Sequence, residues 1–270
     1  MEVQTYPNIE VVMCDDGSTD GTAEAVQAAY PKVKVVQGTG NLWWTGGINR
    51  CIQHVLGASG PGDYVLTINN DVVVDPDYVE RKVRRAGEYP DSMIGSVCVF
   101  LEDPNKIETS GFILNYSTGS WRPVTKRGQP RDSSCVGVRR VTHVPGKGVL
   151  IPVALFQRFG IYDEARFPHY HADSDFALVA HEAGIPVLVD FDTVVYSDVN
   201  QKNMTIPGQA MSLQGVVRTF RGLYSPNNWT VNYRFARKHL GRIWWLYLIR
   251  KYTRIIGGMA LRYASSKLQG

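Results

Sequence analysis

The first 100 residues alternate short apolar, β-branched runs with segments of helix length, and turn-forming residues punctuate them. No other feature constrains the chain as much. Strands separated by helices of roughly 10–15 residues build a mostly parallel sheet with helices on its faces, an α/β fold. Ile9 to Cys14 is the first run and stops at Asp15-Asp16-Gly17-Ser18. Thr22 to Tyr30 reads as a helix ended by Pro31, Val33 to Val36 as a second strand, and Gly46 to Leu56 as a second helix. Tyr64 to Ile68 is a third strand and Ile94 to Phe100 a fourth. Between them, Asp75-Pro76 has the form of a helix cap with proline at the first helical position, opening a helix to about Tyr89.

Turn-rich sequence from Glu102 to Thr142 predicts a hairpin or small mixed sheet. Ala154 to Phe159 and about Asp173 to Ala183 follow as helices, the latter with Phe176, Val179, Ala180 and Ala183 on one face. Val187 to Val189 and Val194 to Tyr196 read as closing strands, residues 199–228 as a polar, mobile loop, and the chain from Trp229 as helical. A catalytic domain over residues 1–198 and an extension over 199–270 are therefore expected.

Charge divides the chain at the same place. Residues 199–270 contain no Asp or Glu but 12 of the 29 Lys and Arg, so the body carries −8 and the tail +12. Such a block faces an anionic partner. Trp244, Trp245 and Tyr247 beside Arg250, Lys251 and Arg254 favour an anionic membrane surface met by residues 229–267, against a packed helix with a solvated face. No recognised motif supports nucleic acid. No run approaches the ~18 apolar residues of a membrane span, and the N-terminal residues have no secretory pattern, so a cytoplasmic, peripheral protein at the inner face of the cell membrane is expected. Four scattered cysteines suit a reducing compartment and read as small buried hydrophobes.

Ligands of such sheets bind at the carboxyl ends of strands. Asp15-Asp16-Gly17-Ser18 and Asn69-Asn70-Asp71 stand there. A carboxylate in the first would accept hydrogen bonds from a base or ribose; one in the second would bridge through Mg²⁺ or Mn²⁺ to a diphosphate. Each is also an ordinary turn. The glycines of Gly40 to Gly47 allow close backbone approach to a ligand, while Trp43 and Trp44 fit core packing equally well. His169 to Asp175 opens a helix, where carboxylates serve as caps or, at a cleft mouth, as a general base. Dinucleotide and P-loop fingerprints are absent from the sequence.

In this order, Tyr6 to Val12, Asp15 to Thr22, Asn41 to Asn49, Asn69 to Asp71 with Val74 to Asp77, Gly146 to Ile151, and Ala172 to Phe176 resemble the family 2 glycosyltransferases. The tail and the Asn69-Asn70-Asp71 form are similar to bacterial rhamnosyltransferase-like members. The resemblance implies a GT-A α/β/α sandwich that transfers a sugar from a nucleotide-sugar donor to a hydroxyl of a glycan or lipid-linked acceptor, in cell-surface polysaccharide synthesis. Asp173 would be the base of a single inverting displacement and Asp71 the ligand of Mg²⁺ or Mn²⁺. Donor contacts would fall to Asp15, Asp16, Ser18, Asn41, Trp44, Gly46, Asn49, Asn70 and Gly148. Ala172 replaces the family's Glu before the base, so Asp175, or His171 on the acceptor side, would supply a further polar group. The chain starts after the strand and helix with which members open, so a sheet short of one central strand is expected. A GT-A-like protein that binds without catalysis is the alternative.

Overall fold

The computed structural model describes residues 3–198 and 213–268. It opens with β1 (Val12–Asp15), α1 (Thr22–Ala29), β2 (Lys34–Gln37), α2 (Trp43–Leu56), β3 (Tyr64–Thr67), β4 (Val72–Val74), α3 (Tyr78–Glu88) and β5 (Met93–Phe100). Short strands β6 (Ile107–Thr109), β7 (Phe112–Asn115), β8 (Ser120–Pro123) and β9 (Val138–Val141) follow, then β10 (Val149–Pro152), α4 (Val153–Phe159), α5 (Ala172–Glu182) and β11 (Val187–Ser197). Helices α6 (Leu213–Arg221), α7 (Trp229–His239) and α8 (Trp244–Leu268) close the chain. Two compact units result, one of residues 1–113 and 123–199, the other of residues 114–122 and 200–270.

The first unit has the α/β sandwich of the GT-A type, but its sheet is mixed rather than mostly parallel. Seven strands follow the path β3-β10-β5-β11-β4, with β6 on β5 and β9 on β11. Only β5 and β11 run parallel; β10 is antiparallel to both neighbours, and β4 and β9 are antiparallel to β11. An apolar run such as Val149-Leu150-Ile151 reports burial and not direction, which is why the sequence pattern misses this. Central β5 is buried along nearly its whole length. The two closing runs are one strand, β11, with an irregularity between Asp190 and Val194.

β1 and β2 pair parallel as a separate sheet. Between β1 and β3 lies a cavity of about 760 Å³, lined by Ile9, Val11, Ile48, Ile52, Leu66 and Val83 among others. No strand among the described residues joins the two edges.

Asp75 does not cap α3. Its carboxylate pairs with Arg81 at 2.8 Å and its carbonyl accepts from Tyr78, so a turn intervenes and the helix starts at Tyr78. Tyr78, Val79, Lys82 and Ala86 form the buried face of α3. Lys82 is fully buried and donates to the Ile94 carbonyl at 2.8 Å. Burial pulls its ammonium down to about 7, with Asp190 opposing. Between that value and the unfolded 10.5 the unfolded chain holds the extra proton, so raising the pH favours the fold. In urea unfolding, wild type should gain about 2 kcal/mol on Lys82→Met between about pH 7 and pH 9. A flat difference would show Lys82 charged in the fold.

In the second unit, residues 213–221 form helix α6 where the sequence reads as loop; the rest of that expected loop, residues 199–212, lies outside the described residues. Ala183 lies just past α5 as its C-cap and is exposed, and Ala172, Ala177 and Leu178 complete the buried face of the helix instead. Among the cysteines Cys98 and Cys135 are buried and Cys14 and Cys51 half-buried, all as free thiols.

Candidate active site

The carboxyl end of β1 is bound to the loop before α2. Asp15 is buried and its Oδ1 accepts from the Ser18 amide at 3.2 Å. Asp16 accepts from the Gly40 amide through Oδ1 (2.8 Å) and from the Leu42 amide through Oδ2 (2.7 Å). Gly17, at φ +83°, lies so near this loop that a Cβ would stand 3.1 Å from the Gly40 Cα. Ser18 and Asn41 are exposed along this rim.

The first turn of α2 leads from that rim to a second cluster. Trp44 Nε1 donates to Asn69 Oδ1 at 3.1 Å, and its ring lies 5.9 Å from that of Tyr162. Gly146 packs so closely that a Cβ would be 2.9 Å from the Trp44 ring and 3.2 Å from the Asp173 Cβ. Asp173, in the first turn of α5, accepts from the Gly146 amide through Oδ2 (2.9 Å) and from the Ser174 amide through Oδ1 (2.7 Å). His171 takes the left-handed conformation at the N-cap, φ 73°, and its carbonyl accepts from the Asp175 amide. His143 lies buried, stacked on Phe112, with Nε2 3.4 Å from Ser174 Oγ. Burial pulls the His143 imidazole down while Asp173 opposes it; burial and Asp173 together push the Tyr162 hydroxyl up.

Asp71, half-buried, ends the turn from β3 to β4, and its carbonyl accepts from the Asp198 amide at 3.0 Å. Asn70 beside it is exposed. No group of three or more His, Cys, Asp or Glu that would hold an ion exists among the described residues. A divalent ion at Asp71 would have one carboxylate from the turn and would share its remaining positions with phosphate oxygens, the usual situation of Mg²⁺.

Four expected donor or acceptor residues turn inward instead. Asn49 is buried; its Nδ2 donates to the Tyr162 carbonyl and Glu164 Oε2, and its Oδ1 accepts from the Tyr162 amide. It therefore braces the Tyr162 loop. A Cβ on Gly46 would meet Leu42 at 2.9 Å, so this glycine serves close packing. Gly148 is enclosed by Tyr78, Val195 and Ser96. Asp175 is buried within α5. Local sequence shows that these residues can pair or pack tightly, but not which way they face. The Gly146 amide, Tyr162 and His143 join the site unannounced, since their placement depends on contacts between distant segments.

A carboxylate held by two main-chain amides and walled by aromatic rings can take a proton from a hydroxyl beside it. The family model for glycosyl transferase family 2 matches residues 2–140, about half the chain. A putative glycosyltransferase of Bacillus subtilis, EpsE, is 33% identical over 84 residues, 30% of this chain and 28% of that protein. The N-acetylglucosaminyl-diphospho-decaprenol L-rhamnosyltransferase of Mycobacterium tuberculosis is 27% identical over 111 residues, 39% of this chain and 36% of that protein. The matched stretches thus span about a third of these relatives. Among solved structures, GalNAc-T7 with UDP, GalNAc and Mn²⁺ superposes with a TM-score of 0.55 at 14% identity, covering 90% of this chain and 47% of that one. Staphylococcus aureus TarS 1–349 with UDP gives 0.51 at 18% identity, covering 73% and 54%. The matched residues include the Asp15 turn and the Asn69 to Asp71 turn, and the chain belongs to glycosyl transferase family 2.

Proposed function

We propose that the protein transfers a sugar from a nucleotide-sugar donor to a hydroxyl of a glycan or lipid-linked acceptor by a single inverting displacement. The observation that carries this reading is the Asp173 carboxylate, oriented by the Gly146 and Ser174 amides beside Trp44. Asp173 removes the acceptor proton as that oxygen attacks the anomeric carbon. Trp44 and Tyr162 wall the base and limit water. Asp71 would hold Mg²⁺ or Mn²⁺ together with the donor's diphosphate. When bound, the ion offsets charge growing on the departing nucleoside diphosphate. Asp15, Ser18, Asn41 and Asn70 form the rim for the nucleotide. The UDP-containing similar structures and the lipid-linked substrate named for the mycobacterial relative support this donor and acceptor class.

The second unit supports contact with an anionic membrane surface. No described helix is long and apolar enough to cross a membrane. Of the basic arc expected on α8, Lys251 is drawn inward, its Nζ donating to Asn232 Oδ1 and the Pro226 carbonyl, while Arg250, which donates to the Thr118 carbonyl, and Arg254 stay exposed. An apolar stripe reaches solvent beside the exposed Arg250 and Arg254: Trp245, Ile249 and Ile256 are each at least half exposed and fall within roughly a 40° arc at 100° per residue. An exposed apolar stripe in an acid-free segment suits an anionic interface.

The test is nucleoside diphosphate release from a panel of sugar nucleotides with Mn²⁺ or Mg²⁺, with a polyprenyl-linked acceptor in anionic or neutral vesicles. Release from one donor is expected, suppressed by chelation and at least about tenfold lower in Asp71→Ala. The enzyme should sediment with the anionic vesicles. Undiminished release under chelation removes the metal from the reading, and equal sedimentation with neutral vesicles removes the charge preference. Donor binding without turnover would instead favour a non-catalytic binding protein.

A further inference from the structure

Lys147 takes no part in the chemistry described above, yet it is the buried cation nearest in sequence to the Gly146 amide. Its ammonium donates to Glu108, itself buried on β6, and to Ser197 Oγ at 2.7 Å at the end of β11. Glu108 also receives Arg127 at 3.3 Å. Three distant segments therefore meet at one ammonium: the chain before β10, β6, and the end of β11. An ion pair taken out of water contributes little net stability, so its placement is informative.

That placement links both carboxylates of the proposed reaction. Lys147 stands between Gly146 and Gly148, neither of which has a side chain to anchor the segment. Gly146 supplies the amide that orients Asp173 Oδ2. On the other side, Ser197 pairs with Val72 in the ladder of β4, and the next residue, Asp198, donates its amide to the Asp71 carbonyl. We propose that Lys147 is a positioning residue: anchored on Glu108 and Ser197, it fixes the Gly146 amide against Asp173 and ties this loop to the strand end that carries Asp71. The inference rests on the glycosyl-transfer reading, and it needs no contact between Lys147 and substrate.

The test compares wild type with the double variant Lys147→Met, Glu108→Gln, which leaves no unpaired buried charge from the pair. Three quantities are read: the melting temperature, exchange of the Gly146 amide by NMR, and kcat against donor KM. The double variant should melt within a few degrees of wild type. Its Gly146 amide should exchange at least about tenfold faster, and kcat should fall about 10–100-fold with donor KM nearly unchanged. Wild-type exchange and kcat in the folded double variant would overturn the proposal. If that variant does not fold, Ser197→Ala decides, since it removes one anchor and keeps the ion pair. Exchange at Gly146 should then rise about threefold without a change in melting, and unchanged exchange overturns the proposal. Should wild type transfer no sugar, the transfer reading fails, while Gly146 exchange still decides whether Lys147 positions this loop.

Discussion

Asp173→Asn should lower sugar-transfer turnover by about 10²–10⁴-fold while donor affinity stays within about twofold. The amide has the shape of the carboxylate but cannot take a proton at neutral pH. The substitution has a second consequence specific to this site. Asp173 accepts from two main-chain amides, one on each oxygen, and asparagine offers only one acceptor. Either the Gly146 or the Ser174 amide would then face an NH₂ group, costing roughly 1–3 kcal/mol if that amide stays buried. A modest fall in melting temperature should accompany the fall in rate. Donor affinity measured by calorimetry separates the two effects: a lost base leaves it intact, whereas a collapsed loop weakens it. Turnover within a factor of a few of wild type would remove Asp173 from the role.

The elements that carry this site are largely legible in the sequence. The Asp15 turn, the Asn69 to Asp71 turn and the start of α5 each follow or precede a strongly patterned run, and such runs announce themselves through burial. Orientation is what the pattern hides. Asn49 fits a ligand contact by residue type, and only the Tyr162 loop, 113 residues away, shows that its amide is consumed inside the protein. The Gly146 amide is invisible to any reading of side chains, because its donor is main chain. Lys147 and Glu108 lie 39 residues apart on segments with no shared pattern. The same limit explains the sheet: the order and direction of β10 depend on pairing between segments, while the apolar run records only that both its faces are covered.

Gly148 shows how much of the site's geometry is set by packing beneath it, and Gly148→Ala should destabilise the protein by about 3–5 kcal/mol. Two costs add. At φ +78° the backbone is in the left-handed region, where a Cβ costs roughly 1–2 kcal/mol. The added methyl would also stand 2.6 Å from the Tyr78 hydroxyl and 2.6 Å from Val195 Cγ2, both fully buried. The Tyr78 hydroxyl cannot simply retreat, since it is bonded to Ser96 Oγ at 2.7 Å and reaches the Gly148 carbonyl at 3.3 Å. Gly184→Ala isolates the first cost, because Gly184 has φ +86° and a methyl added there would meet nothing within 4 Å. The difference between the two variants in urea unfolding measures the collision with Tyr78 and Val195. Adding Tyr78→Phe to Gly148→Ala removes the obstructing oxygen, so the double variant should be more stable than the sum of its single effects predicts. Equal costs for Gly148→Ala and Gly184→Ala would mean that the layer under β10 can yield. The Gly146 amide, two residues away, would then need Lys147 alone to hold it against Asp173.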